Sequence, residues 1–236
     1  MAGWFERAVG PGGLTLALIY LELLAAMALL ATVLHFRRLK ERREELAAVR
    51  LYFLAFFVLM LAVPGVIVAA TDGRPLERLA SFGWTFGRAG LGAGLVAAGL
   101  PLAVLAGSIA SRDPGLKKMY PFAKAACADA GAFVRYQILY LVLYYLPWES
   151  VFRGVLFLPL VPVIGLVPAL AVQALVSTLL HIGHPDSEVF AAAAAGLAFG
   201  LVAFFTGSFL YTLVLHAATG IATDTFIFLG RKKVRP

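Results

Sequence analysis

The stretch AGLGAGLVAAGLPLAVLAGSIA, residues 89–110, runs without a single charged side chain. As an α-helix, 22 residues at a rise of about 1.5 Å reach roughly 33 Å, enough to cross a hydrocarbon core of about 30 Å. The run therefore reads as a membrane-spanning helix, and its glycines would let another helix approach closely. Working outward, a polar stretch at 71–88 holds Asp72, Arg74, Glu77 and Arg78, and before it lie apolar runs at 14–36 and 46–70. A basic run, 37–43, divides those two. Toward the C-terminus, the linker 111–129 carries Arg112, Lys117, Lys118 and Lys124. A fourth apolar run starts near Phe133 and passes through Tyr140, Tyr144 and Tyr145 to Pro147, Glu149 and Arg153, with a proline-containing break at 159–162. Further runs cover 166–180, 189–205 and 209–229, before Arg231, Lys232, Lys233 and Arg235.

The whole chain shares this character. Its hydrophobic fraction is 61%, charged residues make up 14%, and mean hydropathy is +0.89. A soluble domain is nearer half apolar and a quarter charged. The expected fold is a single all-α transmembrane domain over residues 1–236, a polytopic helix bundle of about seven to eight spans. The net charge of +7 does not indicate nucleic acid, because the basic residues gather in short runs beside apolar segments. The partner these runs imply is the lipid bilayer, whose anionic headgroups they can hold. Seven crossings with the N-terminus outside and the C-terminus cytoplasmic would put the loops 37–50 and 111–124 and the tail 231–235 on the inner side. The first apolar run is too long for the core of a signal peptide and is expected to be retained. The lone Cys127 allows no intrachain disulfide and no cysteine-rich metal site.

An ionisable group within hydrocarbon costs several kcal/mol, so each one calls for a partner or a function. Four stand out: Glu149, Arg153, His181 and His216, with His184 and Asp224 nearer helix ends. Glu149 and Arg153 are four residues apart, so on a helix they share a face and can pair. A carboxylate and two histidines on three different helices are the minimum kit for general acid–base or metal-assisted hydrolysis. The same three residues could also serve as a proton relay in a small transporter.

At this point a resemblance enters. Trp148-Glu149-Ser150-Val151-Phe152-Arg153-Gly154 resembles the Glu-Glu-x-x-x-Arg box of the CPBP intramembrane protease family, which includes CAAX-prenyl endoproteases and bacterial relatives of the Abi type. Ser177 to His181 resembles its second box, Phe-x-x-x-His, and His216 opens a likeness of its third, His-x-x-x-Asn or Asp. The likeness covers roughly residues 80–229. Three positions depart from it: Trp148 stands at the first glutamate, Ser177 at the phenylalanine and Gly220 at the third-box Asn or Asp. The resemblance implies an intramembrane endopeptidase acting on a membrane-inserted or lipid-linked protein substrate. In it Glu149 would be the general base, held ionised by Arg153. His181 and His216 would position water or a divalent metal such as zinc, as in a metalloprotease. The departures keep a second implication open, a non-catalytic relative that binds a membrane partner.

Overall fold

The computed structural model describes residues 12–232, and every regular element among them is helical. Seven long elements form the bundle: α1 (Gly13–Ala31), α2 (Glu45–Thr71), α3 (Ala89–Ala110), α4 (residues 130–155), α5 (Leu166–Leu179), α6 (Asp186–Thr206) and α7 (Leu210–Lys232). Five of them, α1, α2, α3, α6 and α7, are long and apolar enough to cross a membrane. The α5 helix is apolar but has only 14 residues, and α4 is interrupted by π-helical turns. The chain is thus an all-α polytopic bundle. Of the expected basic tail, Lys233 and Arg235 lie outside the described residues.

Successive long elements alternate in direction. At one end Thr15 of α1 shares a hydrogen bond with Thr71 of α2 at 2.9 Å, and the Arg88 N–H before α3 donates to the Thr206 carbonyl ending α6 at 2.8 Å. At the other end Lys40 bonds the Phe122 carbonyl, Ala125 N–H donates to Glu45 at 3.1 Å, and Ser187 donates to Asp113 at 2.7 Å. The two basic loops therefore meet at one end of the bundle.

The α3 and α7 helices pack along each other because α3 is nearly bare where they touch. A Cβ on Gly107 would stand 2.6 Å from the Ala222 Cβ, and one on Gly99 would stand 2.7 Å from Leu215. Without a hydrophobic drive between helices in lipid, such close backbone contact is what holds them together.

Aromatic side chains join α2 to α4. Phe53 stacks on Tyr140 with centroids 4.9 Å apart, and Phe56 lies near-parallel to Trp148 at 5.9 Å. This packing fixes Trp148. The chemistry-bearing turn Leu146–Glu149 lies between two π-helical segments, Leu141–Tyr145 and Ser150–Val155. The first has a local cause: Pro147 has no N–H to donate and its ring would clash with the carbonyl four residues back, so the turn before it widens.

Candidate active site

Glu149 is fully buried, and both its oxygens are engaged. Oε1 accepts from His216 Nδ1 at 2.6 Å and lies 3.4 Å from Arg153 Nη1, while Oε2 lies 2.7 Å from Thr212 Oγ1. A carboxylate that receives an imidazole N–H and a hydroxyl, with a guanidinium beside it as counter-charge, exchanges its water shell for fixed partners, which makes its burial tolerable. Arg153 also lies over the Phe199 ring, with Cζ 5.6 Å from the centroid. The i, i+4 pairing expected from the sequence is present. The two residues of α7 that reach Glu149, Thr212 and His216, are themselves four apart and share a face.

The widened turns direct both Trp148 and Glu149 inward; Trp148 is 2% exposed. The indole contacts both histidines, with its ring 5.0 Å from that of His181 and 6.3 Å from that of His216. An uninterrupted α-helix would turn the second of two neighbouring residues by about 100°. Here both neighbours serve one site, Trp148 against the histidines and Glu149 beneath His216. With seven full crossings, His181 would fall near the inner end of its helix while Glu149 and His216 sit toward the outer half. The short α5 removes the conflict: 14 residues give only about 21 Å, so the turn carrying His181 stops within reach of Trp148. His181 makes no direct bond to Glu149. Its Nδ1 donates to the Ser177 carbonyl of its own helix at 2.9 Å.

These bonds set the tautomers. A carbonyl only accepts, so His181 carries its proton on Nδ1, and the ionised Glu149 assigns the His216 proton to Nδ1 likewise. Both rings are left with Nε2 as the free nitrogen, and the His216 side chain is 24% exposed. Two such nitrogens could ligate a metal, but a catalytic zinc takes three protein ligands and a water. Among the described residues no three His, Cys, Asp or Glu side chains group closely enough to hold an ion. The donor set does not fit a resident metal, and no step below runs through one.

Several polar groups were not anticipated. Thr212 belongs to the site. Beside His181, at 5.4 Å between rings, His184 pairs with Glu188 at 3.1 Å, and Glu188 also accepts from Tyr120. Asp224 does not replace the missing third-box side chain, since it accepts from Gln137 at 2.8 Å, buried between α4 and α7. Glu22, midway along α1, has one buried carboxylate oxygen without a hydrogen-bond partner.

No curated protein and no solved structure matches the chain. A family model does match, described as Rce1-like, type II CAAX prenyl endopeptidase Rce1-like, over residues 131–222. That segment runs from the start of α4 into α7 and holds Glu149, Arg153, His181 and His216. By this match, the segment carrying the site is similar to the type II CAAX prenyl endopeptidases, in line with the likeness of its three boxes.

Proposed function

We propose that this protein is an intramembrane endopeptidase in which Glu149 and His216 act as a carboxylate–imidazole pair. The contact that carries the reading is the 2.6 Å bond between Glu149 Oε1 and His216 Nδ1. Glu149 has no oxygen free to meet a water molecule, so the base is assigned to His216 and Glu149 orients it. The carboxylate holds the imidazole in the tautomer that leaves Nε2 free and stabilises the imidazolium that forms. Nε2 takes a proton from water as the water oxygen adds to the scissile carbonyl carbon. When the tetrahedral intermediate collapses, the C–N bond breaks and that proton passes to the leaving amine. Arg153 and Thr212 hold Glu149 in place. His181 packs against Trp148, and its free Nε2 is a second acceptor at the site.

The family match and the location of the pair among spanning helices favour a membrane-inserted or lipid-linked protein substrate. The direct test uses the full-length chain in proteoliposomes and a peptide bearing a farnesylated cysteine near its C-terminus. Wild type should cut it, and His216→Ala and Glu149→Gln should each lose about 10²–10⁴-fold, the usual cost of disabling a general base. Undiminished cleavage by His216→Ala refutes the assignment. One observation favours a second reading, a binding protein for a membrane partner: an indole, Trp148, occupies the place of a carboxylate. That reading gains if wild type leaves the peptide intact and membrane-protein termini are identical in deletion and wild-type cells.

A further inference from the structure

Gly220 follows His216 by four residues on α7, so the two share one face. The side chain of Tyr145 lies against that face. Its ring centroid is 4.9 Å from that of His216, at an interplanar angle of 70°. Its hydroxyl oxygen occupies the room a side chain at 220 would need: a Cβ built there would be 1.6 Å from Tyr145 Oη and 2.7 Å from Cζ. Tyr145 is 3% exposed and precedes Glu149 by four residues, so the phenol and the carboxylate come to His216 from the same stretch of α4.

Hydrolysis at this site needs a donor for the oxygen of the scissile carbonyl. Neither histidine supplies one in its resting state. The Nδ1–H of His216 is given to Glu149 and that of His181 to Ser177, and both Nε2 atoms are acceptors. The Arg153 guanidinium faces Glu149 and Phe199. We propose that Tyr145 is that donor, its phenol standing in the room that residue 220 leaves open. The assignment rests on the endopeptidase reading above. As water adds to the carbonyl carbon and its proton goes to His216 Nε2, the C=O π electrons move onto oxygen. Tyr145 Oη–H binds that oxyanion and keeps its own proton. In a site with little water, a donor already held in position needs no reorganisation when the charge appears. A tyrosine with two torsions, packed on His216, meets that condition.

The experiment compares kcat and KM of wild type, Tyr145→Phe, Gly220→Ala and the double variant in proteoliposomes with the farnesylated peptide. Tyr145→Phe keeps the ring and removes only the hydroxyl. Its kcat should fall by about 10²–10³-fold, the usual cost of one such donor, with KM within about twofold and an unchanged melting temperature in detergent. Gly220→Ala pushes a methyl group into the hydroxyl and should lower kcat in the same direction. Because both changes act on one hydroxyl, the double variant should be no slower than the slower single one. If Tyr145→Phe retains full kcat, or loses only in KM, while His216→Ala is inactive, the Tyr145 assignment falls and the endopeptidase reading stands. Failure of wild type to cut the peptide overturns both.

Discussion

Arg153 and Glu149 are 2% and 0% exposed, and Arg153 Nε has no hydrogen-bond partner, so this guanidinium depends on one carboxylate. Breaking a buried pair from one side leaves an uncompensated charge, which typically costs about 3–5 kcal/mol. Arg153→Leu should therefore lower the yield of folded protein in detergent more than replacing both residues with leucine. The double variant strands no charge, because His216 is partly exposed and Thr212 can donate to the Phe209 carbonyl at 2.7 Å. Equal losses in the two variants would mean that the pair does not act as a unit. At this scale Glu149, Arg153, His181 and His216 could be picked out because each stands in or beside an apolar run, although Glu22, which stands in one too, was passed over. Thr212, Tyr145 and Glu188 could not, because hydroxyls do not stand out by charge and Glu188 lies near a helix start. Each sits four residues from a group that did stand out, before His216, before Glu149 and after His184 respectively, so helical spacing applied around every buried charge was the available signal.

Among the elements, the most sharply defined contact is that of α3 with α7. Gly107 faces Ala222 and the Thr219 carbonyl, whereas Gly94 has nothing within 4 Å of a built Cβ. Gly107→Leu should overpack the contact and destabilise the protein by about 1–3 kcal/mol, read as a lower melting temperature in detergent. Gly94→Leu should leave that temperature unchanged, and equal shifts would argue against the close packing. The glycine content of this span was legible in the sequence, and so was its use in close helix contact. The π-turns of α4 were not. A proline marks a fault in the hydrogen-bond ladder, but whether the helix kinks or widens depends on the rings of Phe53, Phe56 and Tyr144 packed around it.

For the molecule as a whole, the alternation of seven elements sets residues 12 and 232 at opposite ends, and the basic loops gather at the end where Arg231 lies near Lys124. The positive-inside bias predicts that this end is cytoplasmic. In a Cys127→Ser background, a cysteine at Arg43 or Arg112 should resist an impermeant thiol reagent added to intact cells. One at Leu76, which is 79% exposed at the other end, should react. Labelling at Arg43 from outside would reverse the orientation. Among the described residues five helices are long and apolar enough to span, against the seven to eight expected; the apolar runs and the charge bias were readable because hydropathy and loop charge are local quantities. The relative depth of His181 was not, since it depends on how α5, shorter than a full crossing, is seated against its neighbours.

The widened turn 141–145 also makes α4 a register device. It holds one residue more than an α-helical turn would and takes that residue in without rotating the segments on either side. Removing Val142 should therefore let the turn close to α geometry with residues 146–149 still facing the histidines. A paired-cysteine assay reads this directly: cysteines at 149 and 216 should cross-link in the full-length chain and still do so once Val142 is deleted, and loss of the cross-link would mean that the deletion rotates that turn. By this geometry, the loss of one codon is absorbed within the turn, leaving the site and every span in place.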